Sequence, residues 1–358
     1  MRANELIFAG VPGPDLDKAS AALLEQHQPG GVVLLGWNFK TLEQLAELTT
    51  AIRRILPEVI LCIDAEGGRV DRLRDVVGPA PAASLLGRRP ASLAYQAGHW
   101  IAQAMRLFDF DLDFAPVVDL DRGATDNALD GRYFGATPEQ VIPRARAFLR
   151  GLHAGGAGGC LKHFPGLGGA GQDTHHQGSA VYLPSDELRV DLAPFATLAG
   201  HAGAVMIGHA AYPAYDSSMR PATMSPEILG GLLRGRLGFT GLSISDDLDM
   251  KALASWGEMP DRAAQAFASG CDVLLVCHRL EDVPEVIERL EHPSLDERRE
   301  EALERLDVYR QRLRTLRAAR DHVNLMDAAG GGDRLEIVQD ALAEILKSAK
   351  GGEEPQKP

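Results

Sequence analysis

Short apolar runs alternate with longer amphipathic stretches along most of the chain. Residues 6–9, 31–35, 59–63, 112–118, 159–162, 204–207, 242–245 and 273–277 are rich in Val, Ile, Leu, Ala and Phe and predict strands. Between them, apolar residues recur every three or four positions and predict helices, among them 42–56, 92–107, 138–153, 185–199, 225–236 and 260–268. The alternation amounts to about eight βα units over some 280 residues, the count and size of a single (β/α)8 TIM-type barrel. A doubly wound open sheet is the competing α/β architecture. It would carry a nucleotide-type glycine turn after the first strand, and Gly10-Val11-Pro12-Gly13 is a poor match.

Beyond the last strand, residues 280 to 326 read as charged helices with a narrow apolar stripe. Gly330-Gly331-Gly332 breaks that pattern, and a short helix over 335–347 and a polar tail follow. The expected organisation is a catalytic barrel with its closing helices over residues 1–325. A C-terminal extension over 326–358 would comprise a glycine-rich linker, a short helix packed on the barrel or a partner, and a disordered tail.

Polar residues punctuate the strand ends. Asp64 follows the third strand, Asp119 the fourth, Lys162-His163 the fifth, His209 the sixth and Asp246 the seventh. A closed parallel sheet would gather these side chains at one mouth, where barrel enzymes build their sites. The densest stretch runs from Lys162 to His176. A Lys-His pair leaves the strand, Pro165 stops it, and Gly166, Gly168, Gly169 and Gly171 form a loop able to bend. Asp173-Thr174-His175 stands on the far side. A carboxylate two residues from an imidazole fixes its tautomer and leaves the other ring nitrogen free for proton transfer, so the stretch reads as an acid/base unit on a mobile loop.

Ile244-Ser245-Asp246-Asp247-Leu248-Asp249 ends the seventh strand with three acids. Asp246, the first to leave the strand, is the candidate nucleophile toward an anomeric carbon. Asp247 and Asp249 read as caps for the helix that follows. In Asp64-Ala65-Glu66-Gly67-Gly68-Arg69-Val70-Asp71-Arg72 the paired glycines would let backbone approach a ligand. There Asp64 and Arg72 either bind sugar hydroxyls or pair with each other as a buried salt bridge.

Composition narrows the partners. The 358 residues are 45% hydrophobic and 24% charged, with a net charge of −13, which argues against nucleic acid or an anionic membrane as the main partner. Cys62, Cys160, Cys271 and Cys277 form neither a CxxC pair nor a zinc spacing, as expected of free thiols in a reducing compartment. The first ten residues lack the apolar run of a signal peptide, and no stretch reaches transmembrane length. A cytoplasmic location is therefore expected.

Four segments together resemble a known family. They are 63–72; Lys162-His163-Phe164-Pro165 with Asp173-Thr174-His175; Gly208-His209-Ala210-Ala211-Tyr212-Pro213; and 238–247. In order and over roughly residues 5–280, the chain resembles the bacterial β-N-acetylglucosaminidases of glycoside hydrolase family 3. The resemblance implies a single TIM barrel and no metal or other cofactor. It implies Asp246 as nucleophile, His175 as acid/base and Asp173 as its assistant, with Asp64, Arg72, Arg132, Lys162 and His163 binding substrate. Configuration would be retained through a covalent glycosyl-enzyme. The implied substrate is a small carbohydrate, terminal N-acetylglucosamine on muropeptide fragments or chito-oligosaccharides, handled by a monomer or homodimer. Three positions depart from the family pattern. Leu167 stands where histidine is usual, Asp130-Gly131-Arg132 stands for Gly-Asp-Arg, and Trp37-Asn38 stands where Arg-Asn is common.

The same residues would serve a phosphorylase, because neutral imidazole repels phosphate less than a carboxylate does. A β-glucosidase of the family would commonly take its acid from an additional domain, and this sequence shows none. A binder of muropeptides without catalysis is the reading from a different class, and it predicts that Asp246→Asn changes nothing measurable.

Overall fold

The computed structural model describes residues 2–123, 129–170, 180–321 and 334–351. Eleven strands are seen among them: β1 (Ile7–Gly10), β2 (Gly31–Leu34), β3 (Ile60–Ile63), β4 (Ala65–Gly67), β5 (Val70–Asp71), β6 (Leu112–Asp113), β7 (Gly158–Gly159), β8 (Leu161–Phe164), β9 (Ala204–Ile207), β10 (Leu242–Asp247) and β11 (Val273–Val276). Nine of these form one sheet in the order β7-β6-β3-β2-β1-β11-β10-β9-β8. All its pairs are parallel, and β1 lies between β2 and β11. The two ends of that order meet. β7 and β8 are consecutive pieces of one stave interrupted at Cys160, and Lys162 bridges across to Val117 beyond β6. The Cys160 N–H donates to Ala115 O at 2.8 Å and the Val118 N–H to Lys162 O at 2.9 Å. Nine pieces thus make eight staves of a (β/α)8 barrel, and sequential strand order rules out the doubly wound sheet.

The strand sequences explain the closure. Ile-Leu-Cys-Ile in β3, Ala-Val-Met-Ile in β9 and Val-Leu-Leu-Val in β11 are buried at every position, as strands between a packed barrel interior and a ring of helices must be. The helical ring includes α1 (Lys18–His27), α2 (Leu42–Ile55), α3 (Ala83–Leu86), α4 (Ala91–Leu107), α5 (Pro138–Ala154), α6 (Ser185–Ala202), α7 (Met259–Ser269) and α8 (Val283–Leu290). In α2, Thr41 caps the first turn through Gln44 N, and Leu45, Leu48 and Ile52 turn inward. The expected helix at 225–236 is a π-helical segment, Glu227–Arg236.

The expected charged helices after β11 are α8 and the long α9 (Asp296–Asp321). α9 lies across the N-terminal end of the barrel. Arg310 pairs with Glu5 before β1, Arg314 with Glu58 before β3, and Arg298 and Arg305 with Asp272 before β11. The Tyr309 hydroxyl donates to Gly159 O at 3.2 Å. With that end sealed by side chains, the opposite end is the one free to receive a ligand. The C-terminal helix α10 (Arg334–Lys350) buries Val338, Leu342, Ile345 and Ala349 and packs against α4, longer at both ends than its sequence pattern indicates. No helix among the described residues is long and apolar enough to cross a membrane.

Candidate active site

The strand ends converge as a closed barrel requires. At the C-terminal end of β3 the chain turns back on itself as the β4–β5 hairpin, which sequence reading missed. Gly67 and Gly68 adopt φ of 84° and 66°, a left-handed turn that only glycine enters without strain. A Cβ on Gly68 would sit 2.6 Å from that of Ala82. The paired glycines therefore serve the turn and its packing on the chain's own 80–82 segment, rather than the ligand approach expected of them.

The hairpin carries Glu66, which the sequence reading left without a role. Its carboxylate accepts from Arg132 Nε and Nη2, both at 2.8 Å, and lies 2.6 Å from Lys162 Nζ. The same ammonium donates to Asp64 Oδ1 at 2.6 Å. Burial pushes the Glu66 carboxyl up, but the Arg132 and Lys162 charges outweigh it and hold the group down at about 2. Burial likewise works against the charged form of Lys162, and Asp64 and Glu66 more than restore it. Two buried cations and two carboxylates thus neutralise one another. Asp113 at the end of β6 is a third acid beside them. Its Oδ1 accepts from the Ala65 N–H at 2.9 Å, and burial holds its carboxyl well above the ordinary range.

His163 belongs to the same cluster. Its Nδ1 is 2.8 Å from Asp119 Oδ2, and its Nε2 is 3.5 Å from Arg132 Nη2. Asp119 also accepts from the backbone N–H groups of His163 and Leu167, at 3.1 and 2.7 Å. It orients the imidazole and ties down the start of the Gly166–Ala170 segment at once. Leu167 is buried there, and a Cβ on Gly168 would collide with Leu120 O. Leu167 and Gly168 are thus closely packed, while Gly171 lies outside the described residues. The peptide bond joining Lys162 and His163 is cis.

In a regular strand neighbouring side chains point to opposite faces, yet Lys162 and His163 both reach this cluster. The reason is a bulge. Leu161 pairs with Val205 and Phe164 with Ile207, three steps along β8 against two along β9. β10 repeats the device. Ile244 pairs with Val273 and Asp247 with Leu275, and the Ser245 hydroxyl accepts the Leu275 N–H at 3.0 Å. Asp246 sits in that bulge, where an extra residue re-aims a side chain. Its Oδ1 accepts the Asp247 N–H at 2.9 Å. Burial raises the Asp246 carboxyl, but the His209 and His163 imidazoles, that N–H and Lys162 together hold it below the usual carboxylate range. Beside it His209, buried, meets Thr223 Oγ1 at 2.9 Å through Nδ1 and Asp247 O at 2.8 Å through Nε2. A carbonyl only accepts, so Nε2 carries the proton, and burial keeps the ring's pKa low.

Asp247 and Asp249 are not the helix caps expected of them. The Asp249 carboxylate accepts the Cys277 and His278 N–H groups at 3.1 and 2.9 Å and pins the end of β11. His278 Nδ1 lies 3.1 Å from Asp247 Oδ2 and 3.6 Å from Asp249 Oδ2, and its hydrogen bond to Asp247 raises its pKa. These three are the group among the described residues whose donor atoms come close enough to hold a metal ion. Arg72, on the far side of the hairpin, donates its backbone N–H to Asp64 O at 3.1 Å; its Nε is buried and finds no partner among the described residues. The structure therefore brings together Asp64, Arg132, Lys162, His163 and Asp246, with Arg72 at their edge, while Asp173 and His175 lie outside the described residues.

Residues 3–307 match the N-terminal domain of glycosyl hydrolase family 3. The chain belongs to glycosyl hydrolase family 3. Among similar members is a β-hexosaminidase of Stenotrophomonas maltophilia (strain R551-3), 38% identical over 297 residues that cover 80% of this chain and 86% of that one. NagZ from Neisseria gonorrhoeae, solved in complex with N-trifluoroacetyl-D-glucosamine, is 31% identical and superposes with a TM-score of 0.80 over 96% of this chain and 98% of its own. A family 3 β-N-acetylglucosaminidase from Paenibacillus sp. str. FPU-7 gives 0.84 at 29% identity, over 96% of this chain and 67% of that one. As a family 3 member this chain is a glycoside hydrolase. The family 3 match ends at residue 307, inside α9, so α10 lies beyond it.

The hairpin supplies a pH test. Burial raises the Asp71 carboxyl from an ordinary 3.8 to about 6, against the Ala80 N–H that donates to its Oδ2 at 2.9 Å. A carboxyl whose folded pKa exceeds its unfolded one binds the proton more tightly when folded. Its contribution to stability is complete below about pH 4 and is lost as pH rises through about 6, on the order of 3 kcal/mol. Asp71→Asn keeps an acceptor for Ala80 and does not ionise. Thermal melts from pH 4 to 8 should show the variant level with wild type at pH 4 and more stable above pH 6; parallel curves would exclude Asp71 as the titrating group.

Proposed function

We propose that this family 3 hydrolase is a retaining exo-β-N-acetylglucosaminidase that removes terminal N-acetylglucosamine from muropeptide-type fragments in the cytoplasm. The observation that carries the reading is Asp246, anionic in its bulge, facing a cluster of Lys162, Arg132, Asp64 and His163. A carboxylate with a depressed pKa is ionised at neutral pH and is a good leaving group once esterified, the two properties a glycosidic nucleophile needs. Asp64 accepts, Lys162 and Arg132 donate, and His163 lines the same cluster, which suits the hydroxyls of one pyranose. Arg72 adds a donor at the edge. The names of the relatives support N-acetylglucosamine as that sugar. Four buried free cysteines support a reducing compartment.

In the first step Asp246 Oδ attacks the anomeric carbon from one face as the bond to the leaving oxygen breaks. The His175 imidazolium gives its proton to that oxygen, and Asp173 steadies the charge on the ring. In the second step neutral His175 takes a proton from water, the water oxygen bonds to the anomeric carbon, and Asp246 departs with its electron pair. Two inversions retain the configuration.

Incubation with a 2-acetamido-5-fluoro glycosyl fluoride followed by peptide mapping tests the assignment. The label is expected on Asp246, and a label on any other residue overturns it. Release of free sugar whether or not phosphate is present distinguishes hydrolysis from phosphorolysis, which would give the sugar 1-phosphate.

A further inference from the structure

At the rim of the mouth an indole ring stands open to solvent. Trp37 is 40% exposed, although the residue beside it, Asn38, is fully buried. The ring is nevertheless fixed. Its Nε1–H donates to Val11 O at 3.0 Å. Asn38 locks the backbone beneath, accepting the Leu35 N–H at 2.7 Å and donating to Val11 O and Gly13 O at 3.0 and 2.6 Å. One side of the indole meets the His278 ring, with centroids 4.9 Å apart at 55°. His278 in turn reaches Asp247, whose N–H holds Asp246. On the other flank, a Cβ on Gly36 would lie 3.4 Å from Arg72 Nη1, next to the buried Nε that has no partner among the described residues. Two residues, His278 and Asp247, therefore stand between Trp37 and the nucleophile, and the neighbouring guanidinium has a donor without a partner among the described residues.

An immobilised apolar face this close to a polar cluster suits a ligand that is apolar on one side and hydroxylated at its edges. A pyranose ring has that character, with C–H bonds on its faces and hydroxyls around its rim. Because the indole is already held, stacking a ring on it costs little side-chain entropy. The sugar that undergoes attack occupies the Lys162–Asp64–Arg132 cluster, so a ring on Trp37 is the one departing from it. We propose that Trp37, backed by His278 and flanked by Arg72, is the leaving-group subsite and takes the pyranose ring of a second sugar, so that the natural substrate is at least a disaccharide. This rests on the N-acetylglucosaminidase reading above, which fails separately in the following test.

Two probes differ in what they place on Trp37. N,N′-diacetylchitobiose fills the leaving-group position with a pyranose, whereas N-acetyl-β-glucosaminyl fluoride leaves it empty. Trp37→Ala is expected to lower kcat/KM for chitobiose about 3- to 10-fold and to change the fluoride by less than about 2-fold. Trp37→Phe, which keeps a stacking face, should restore most of the loss. An equal loss on both probes, or none on chitobiose, overturns the proposal. Should wild type cleave neither probe, the functional reading fails, and calorimetry then decides the subsite. Chitobiose bound by wild type and more weakly by Trp37→Ala upholds it, and equal or absent binding overturns it.

Discussion

Asp246→Asn is expected to leave the fold intact and to reduce kcat/KM for an aryl β-N-acetylglucosaminide by roughly 10⁴-fold or more, the scale seen when a covalent nucleophile is removed. The geometry makes this substitution unusually clean. The asparagine oxygen can still accept the Asp247 N–H that now reaches Asp246 Oδ1 at 2.9 Å. The bulge is set by the Ile244–Val273 and Asp247–Leu275 register and by Ser245, none of which depends on the carboxylate charge. What disappears is the negative charge that His209, His163 and Lys162 stabilise. Circular dichroism and a thermal melt report the fold, and steady-state kinetics report the chemistry. Activity within tenfold of wild type would remove Asp246 from the reaction and with it the covalent mechanism.

Glu66→Ala should damage stability and activity together. Glu66 is 6% exposed and answers both Arg132 and Lys162, themselves 8% and 2% exposed. Truncating it takes away the one carboxylate among the described residues seen to contact both buried cations. Breaking a buried ion pair from one side costs about 3–5 kcal/mol, because the abandoned charge has no water to turn to. In a chain of this size a loss on the order of 5–10 °C in melting temperature follows. The catalytic effect has a separate origin. Lys162 and Arg132 are aimed by Glu66, and misplacing such groups by about 1 Å costs roughly 10²-fold in rate. Glu66→Gln keeps the shape and one acceptor and should fall between the two. A variant Glu66→Ala that melts with wild type and retains its activity would show that the cluster is not the frame that holds the sugar.

The barrel was legible because its strands are buried on both faces and therefore read as unbroken apolar runs with glycine, proline or aspartate at their ends. The same property hid the bulges. An unbroken apolar run has no alternation for an extra residue to disturb, so the register steps at Leu161–Phe164 and Ile244–Asp247 leave no trace in composition. The hairpin escaped for a different reason. Its strands are three and two residues long and contain glutamate and aspartate, too short and too polar for any periodicity. With it went the role of Glu66, although a signal existed: two buried-site cations, Arg132 and Lys162, need more counter-charge than Asp64 supplies. Asp119 was visible as a polar strand end, but its task of orienting His163 rests on a 2.8 Å contact between residues 44 apart in sequence, which no local pattern encodes. Asp247 and Asp249 misled because aspartate just after a strand is as common in caps as in ties to a neighbouring strand.

The two bulges also limit how this scaffold tolerates exchange. Barrel staves are often treated as interchangeable slats, and a slat of equal length from another barrel would fit the fifth or seventh gap here. Lacking the surplus residue, it would rotate everything downstream by half a pleat, sending one member of the lysine–histidine couple, or the attacking acid itself, outward among the helices. Recombination across those two slats should therefore yield proteins that fold and are inert.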